Sequence, residues 1–292
     1  MKKIPILTLF LAIFLISCQK TVDETLPPEI INNADSIYLN KLVVLDSTRP
    51  VGMDTVEKMF FQYDNSKRIK SIFSYWVGIM DSSRHEFFYE GNDTLPFKIV
   101  DHSIEDHGAG FFHYVDTIYF NYADGMVRKD SVLAWNLTTG DIVAGPEVRE
   151  FTISGNTVKR IFRNYGVFSG NYVFVDSDTT NFDVTHSAGN LTAHTSSGSS
   201  DVFVQATYDT KPNPLAKVYT VKYPVFDSYL TVDWFTQKNN PLKVQHQVDH
   251  SSPIENEQLT YIYRSDNYPV SATYSSTDGL DYNKLLYFYT SL

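Results

Sequence analysis

A chain of 292 residues with formal charge −10 and 42% apolar side chains can bury a substantial core. Its acidic surface repels phosphate backbones, which excludes nucleic acid as a natural partner. The single cysteine excludes an intrachain disulfide and, once that thiol is used elsewhere, a cysteine nucleophile or a thiolate zinc site.

Residues 1–17 read as a leader. Met1-Lys2-Lys3 supplies positive charge and residues 4–16 supply an apolar run too short for a comfortable transmembrane helix. Leu15-Ile16-Ser17-Cys18 resembles a lipobox, so Cys18 is expected to be acylated and to become the first mature residue. Each buried CH₂ contributes about 0.8 kcal/mol, so two or three acyl chains hold a protein at a membrane. Residues 18–36, with the Pro27-Pro28 pair, form neither helix nor strand on this reading. They are a lipidated flexible tether of roughly 25 Å. Gln19-Lys20-Thr21-Val22-Asp23-Glu24 resembles the signal that sends Bacteroidetes lipoproteins to the cell surface. The expected address is the outer membrane, lipid-anchored, with surface exposure.

From residue 37 to 292 the pattern is strand, turn, strand, read as a single domain. In Lys58-Met59-Phe60-Phe61-Gln62-Tyr63, alternate apolar side chains share a face. Asp64-Asn65-Ser66-Lys67 turns the chain and Arg68-Ile69-Lys70-Ser71-Ile72 returns. Similar hairpins turn at Ala123-Asp124-Gly125, Ser154-Gly155-Asn156 and Ala188-Gly189-Asn190, where Asp-Gly and Gly-Asn supply positive φ. Later turns use proline: residues 209–214, Lys238-Asn239-Asn240-Pro241, and residues 265–269. Lys217-Val218-Tyr219-Thr220-Val221-Lys222 alternates like a strand.

About 16–20 antiparallel strands with almost no helix follow from this spacing. So many strands accumulate twist and leave costly edges. The fold class is therefore all-β, an antiparallel up-and-down meander of repeated hairpins closing into a soluble β-barrel or a strongly curled sheet. A β-propeller is the alternative, and a two-sheet sandwich ranks third. Charges on both faces, as in Lys159-Arg160-Ile161-Phe162-Arg163, suit water better than lipid.

The turn motifs resemble a family of Bacteroidetes lipoproteins of unknown function with a porin-like fold. Tyr63-Asp64 with Lys67-Arg68-Ile69 is similar to the Tyr-Asp…Gly-Arg-Ile unit of that family and of tyrosine–aspartate repeat proteins, with Lys67 in place of glycine. Gly189-Asn190-Leu191, residues 208–214, Asn239-Asn240-Pro241 and Tyr268-Pro269 extend the resemblance over about residues 55–290. It implies a barrel-like fold on a lipid tether and carries over no catalytic residue.

Candidate chemistry is sparse. His102, Glu105, Asp106, His107 and His113 form the densest set of metal-ligand types, in irregular spacing that fits a solvated loop better. His246 and His250 lie four apart in a strand-like context, too far for one ion. His186 and His194 flank a turn and are expected to face each other as cross-strand neighbours. Asp176-Ser177-Asp178 begins like a calcium loop, but Asn181 and Ser187 occupy the positions that need glycine and glutamate, so a polar turn is expected. Trp76, Trp135 and Trp234 are candidates for sugar stacking, against core packing as the plainer reading. The expectation is a protein that is not an enzyme, with no cofactor and no metal. It would be a binding or structural module for a glycan or another envelope protein. A hydrolase with unrecognised carboxylates and a carrier of an apolar ligand in the lumen are the alternatives.

Overall fold

A computed structural model describes residues 37–51, 53–78, 81–106, 110–197, 203–226, 233–247, 253–276 and 282–292. The leader, Cys18 and the tether lie outside the described residues, as do His107 and His250.

Sixteen strands close into one barrel. In chain order they are β1 (Ile37–Asp46), β2 (Thr55–Tyr63), β3 (Ile69–Trp76), β4 (Ser82–Phe88), β5 (Lys98–Asp106), β6 (Phe111–Ala123), β7 (Met126–Asn136) and β8 (Asp141–Ser154). Then come β9 (Thr157–Phe168), β10 (Asn171–Ser187), β11 (Asn190–Ser197), β12 (Phe203–Pro212), β13 (Asn239–Gln247), β14 (Glu255–Tyr263), β15 (Pro269–Ser276) and β16 (Tyr282–Ser291). Every strand pairs antiparallel with its chain neighbours, and β1 closes on β16 with Leu42 opposite Tyr287. The meander and its closure match the sequence expectation. Asp176 and Asp178, expected in a turn, instead lie within β10, the longest strand at 17 residues.

Two turns repeat one design. Asp64 N–H donates to Arg68 O while Lys67 N–H donates to Asp64 O; Arg264 and Asn267 do the same with Tyr268 O and Arg264 O. Lys67 (φ 64°) and Asn267 (φ 69°) hold the left-handed position. Asn tolerates that region better than Lys.

A row of tyrosines ties neighbouring strands at the hairpin-turn end of the barrel. Tyr63 donates to Leu39 O (2.8 Å), Tyr89 to Ile69 O (2.8 Å), Tyr122 to Pro96 O (2.8 Å), Tyr208 to Leu191 O (3.0 Å) and Tyr289 to Pro269 O (2.7 Å). Each phenol comes from the end of an even-numbered strand or just beyond it. Each carbonyl comes from near the start of the preceding strand, at or just before it in three of the five pairs and within its first three residues in the other two. The ring packs inward and the hydroxyl satisfies a strand-end carbonyl, the two-sided use to which tyrosine is suited. This is why Tyr stands before the turn in the Tyr63-Asp64 pair.

A barrel this wide leaves more interior than wall side chains can fill. The chain fills it with itself. Residues 213–226 and 233–238, between β12 and β13, enter the barrel. They form a one-turn helix α1 (Leu215–Val218), an extended run through Phe226, and a returning 3-10 turn Asp233–Thr236. Leu215, Val218, Tyr219, Val221, Tyr223 and Val225 join one buried cluster with wall residues from most of the strands, such as Leu42, Phe61, Ile99, Ile118, Phe151 and Phe182. The segment expected as a strand at residues 217–222 is thus the internal plug. The proline-rich stretches 209–214 and 238–241 are its two ends, not hairpin turns. Its alternation of buried and less buried residues has the period of a strand, but its neighbours are the barrel wall on all sides.

The outer face differs in chemistry. Lys58, Lys98, Lys129, Glu150, Lys159, Lys243 and Lys284 alternate along their strands with inner-wall residues such as Met59, Ile99, Asp130, Phe151, Val158, Val244 and Leu285, so they face outward, and Arg163, paired with Glu150, does the same. Glu150 sits between Lys129 (3.0 Å) and Arg163 (2.8 Å) across β7, β8 and β9. Those two partners hold its carboxyl below the usual range. A charge on a lipid-facing wall costs about 2–4 kcal/mol near the midplane.

Candidate functional site

The plug is clipped at both ends by asparagines. Asn213 accepts from Leu215 N–H (3.0 Å) and donates to Phe235 O (2.6 Å) and Gln237 O (2.9 Å), so one side chain joins the ingoing and outgoing chain. Pro214 precedes α1 with φ −64°, already helical. Asn239 exchanges two hydrogen bonds with Asn190 of the β10–β11 turn, both 3.0 Å. Buried Asn240 donates through its backbone (3.1 Å) and side chain (3.1 Å) to Asp209, which also accepts from Lys211 N–H (2.9 Å) and from the Tyr263 hydroxyl. Five of the motif residues, Asn190, Asp209, Asn213, Asn239 and Asn240, are therefore anchor points at the ends of the plug.

Deeper in, three polar groups lock plug to wall. Arg149 on β8 makes a two-pronged pair with Asp130 on β7, at 3.1 and 2.6 Å. Tyr223 of the plug donates to Asp130 (2.7 Å) and accepts from Arg149 (3.0 Å). Side-chain exposure is 3% for Arg149 and 0% for Asp130, so each charge depends on the other and on the phenol. Lys222 O accepts from Val127 N–H of β7 (2.8 Å). Three strands further round, on β11, buried His194 accepts the Phe226 N–H at Nδ1 (3.2 Å) and packs between Phe182 and Phe226. Burial, then the nearby Arg160 charge, lowers its pKa to about 4.

Two places remain where chemistry could be done. The first is a cavity of about 450 Å³ at the turn end, between the plug and the hairpin turns. Its lining includes Gly125 and Met126 from the β6–β7 turn, His186 and Gly189 from the β10–β11 turn, and Lys217, Lys222 and Lys238 from the plug.

The second is an acidic stretch of inner wall. Asp101 on β5 stands opposite Asp116 on β6, and His85 Nε2 lies 3.2 Å from Asp101 Oδ1. Burial first, then the charges of Asp101 and Glu147, raises the Asp116 pKa to about 6. Burial also raises that of Glu57. An acid whose pKa is higher folded than unfolded contributes stability only at low pH, and that contribution is lost as pH rises from 3.8 toward 6. Asp116→Asn should therefore raise the melting temperature at pH 7, and the gain should shrink to nothing near pH 4. A lower melting temperature at pH 7 would contradict this. Residues that cost stability mark sites where function holds them.

The other sequence candidates scatter. His102 and His113 do meet, Nδ1 to Nε2 at 3.2 Å, with Glu86 3.8 Å from His102. Glu105 and Asp106 sit further along β5. No group of three or more side chains suited to a metal ion occurs among the described residues. His186 and His194 do not face each other: with Ser187 opposite Asn190, His186 stands opposite Leu191, and His194 lies further along, opposite Val184. His246 pairs with Glu257 (3.1 Å). Trp76 lies on β3, Trp135 on β7 and Trp234 in the 3-10 turn, so they form no row. Sequence reasoning missed the turn-end cavity and the Asp101–Asp116 pair. The cavity needs the plug's path, and the pair needs the β5–β6 register.

No protein-family model matches the chain, and no curated protein matches it in sequence. Solved structures do. A porin-like protein from Bacteroides vulgatus ATCC 8482 superimposes with a TM-score of 0.50 at 14% identity, covering 87% of this chain and 100% of that one. A porin-like protein from Bacteroides uniformis ATCC 8492 gives 0.39 at 10% identity over 86% and 96%. At such identities the first likeness shows a shared fold: this chain is built like a porin-like Bacteroides barrel.

Proposed function

We propose that the protein is a lipid-anchored component of the cell envelope that binds a ligand or partner without transforming it. Acylated Cys18 holds it at the outer membrane, and residues 19–24 direct it to the surface. The observation that carries this reading is the plug. A barrel of this width is filled at its turn end by its own chain, through contacts with most of the wall, which suits a rigid binding body rather than an open conduit. The charged outer face supports a wall bathed in water, and a lipid anchor then supplies the membrane attachment that the wall lacks. The likeness to porin-like proteins fits an envelope location. β1 begins at Ile37, beside Lys217 of the plug, so the tether joins at the turn end.

Radiolabelled palmitate should mark the wild-type protein in growing cells and not Cys18→Ala. Purified protein should leave planar bilayers non-conducting. Unlabelled wild type, or stepwise porin-like conductance, would overturn the reading.

Asp101 and Asp116 favour a second reading, a hydrolase using paired carboxylates, with Asp116 holding its proton up to about pH 6. The apolar-carrier reading recedes, because the plug takes the room such a cargo would need at the turn end.

A further inference from the structure

We infer that the tip of the β9–β10 hairpin is a self-association site, where the free edge of β10 pairs antiparallel with β10 of a second copy of this chain.

The hairpin lies at the end of the barrel away from the tether. A two-residue turn, Ser169 (φ 49°) and Gly170 (φ 76°), joins its strands and suits a tight hairpin. β10 pairs with β9 from Asn171 onward but with β11 only from Asn181. Among the described residues no strand runs along its other side from Asn171 to Thr180, and residues 171–177 are all exposed. On the β9 side, Gly145 of β8 lies against Tyr165 O with no room for a side chain, so the long open edge is that of β10. Such an edge presents unpaired N–H and C=O groups to any strand that can reach it.

Folded proteins guard open edges with charge or proline. Residues 164–175 hold neither, in a chain that is 20% charged. Val167, Phe168, Tyr172, Val173, Phe174 and Val175 are 39–74% exposed. Tyr165 stands opposite Phe174 and meets it edge to face at 5.9 Å, and Val167 stands opposite Tyr172, so these four share one face.

The occupant is a strand, because lipid would leave the backbone groups of the edge unsatisfied. The same strand from a second copy fits without repulsion. With Val173 on the two-fold axis, Tyr172 stands opposite Phe174 of the partner subunit and Asn171 opposite Val175 of the partner subunit, and neither Asp176 nor Asp178 meets a like charge. Covering the half-exposed side chains at both tips removes roughly 1,000 Å² from water, at the lower end for a specific interface. The two barrels then point in opposite directions with their tether ends outermost, so anchored copies meet across facing membranes.

The experiment is sedimentation of the full mature chain carrying Cys18→Ala, so that acyl chains play no part. A reversible monomer–dimer equilibrium should appear at micromolar concentration. A charge at position 173 would face itself across the axis. Val173→Lys and Val173→Glu should each weaken dimerisation at least tenfold, yet melt like wild type as monomers, because this side chain is half-exposed. Mixed together, the two variants should dimerise again. Val173→Cys should form an intersubunit disulfide in air, since opposed Cα atoms of antiparallel strands lie about 4.5–5.5 Å apart. A chain that stays monomeric at every concentration would overturn the inference. So would a dimer that tolerates both charges, charge variants that do not recover on mixing, or a monomer whose tip binds phosphatidylcholine vesicles instead. None of these outcomes bears on the acylation of Cys18 or on conductance, so the envelope-module reading stands or falls separately.

Discussion

Asp130→Ala is expected to cost the fold about 3–5 kcal/mol, because it takes the two-pronged carboxylate partner from buried Arg149. Arg149 is 3% exposed and has the Asp130 carboxylate and the Tyr223 hydroxyl as partners at 2.6–3.1 Å. Tyr223→Phe keeps the ion pair and removes only the link to the plug, a hydrogen bond to charged groups contributing about 1.5–3 kcal/mol. The double replacement Asp130→Leu with Arg149→Met should cost less than either charge lost alone, since no orphan charge remains. Urea unfolding of the four proteins checks this order. Hydrogen exchange adds a local readout. The Val127 amide, bonded to Lys222 O of the plug, should exchange faster in Tyr223→Phe than amides on the β1–β2 side of the barrel. Equal protection of both regions would show that Tyr223 does not hold the plug.

A second large effect concerns acid. His194 is 1% exposed, and its Nδ1 serves as an acceptor, which requires the neutral ring. Its pKa falls from 6.5 unfolded to about 4 folded, burial being the main cause. A base with a depressed folded pKa contributes its stability fully above 6.5 and loses it as pH falls toward 4. The loss by pH 4 is about 3 kcal/mol, from the shift and 1.36 kcal/mol per unit. His194→Gln keeps an acceptor for the Phe226 N–H and cannot be protonated. Its urea midpoint should therefore fall less than the wild type's between pH 7 and pH 4. Parallel curves for the two proteins would remove His194 as the acid-sensitive point. The same protonation would loosen the plug where Phe226 meets the wall, so acid should expose the lumen before the strands separate.

Much of the fold is legible in the residues. Alternation in β2, the Asp124-Gly125 and Gly189-Asn190 turns, and the strand count imposed by their spacing together dictate a meander that closes on itself. An open sheet of that many strands would leave two free edges and strong accumulated twist. The turn motifs were legible too, but not their purpose. Tyr208-Asp209, Asn213 and Asn239-Asn240 read as turn residues because Asn, Asp and Pro mark turns for local reasons. Their partners lie up to 54 residues away, as with Asp209 and Tyr263.

Local chemistry alone settled most of the strands and the tightness of the glycine hairpins, since backbone period and φ preference act over a few residues. Only the closed barrel decided that residues 213–226 and 233–238 go inside. An alternating apolar run satisfies a sheet and a lumen equally well, and the choice depends on how wide the wall is. The same closure set Asp130 against Arg149 and Tyr223, and opposed Asp101 to Asp116. Each of those depends on register and distance across the barrel, quantities that no stretch of neighbouring residues contains.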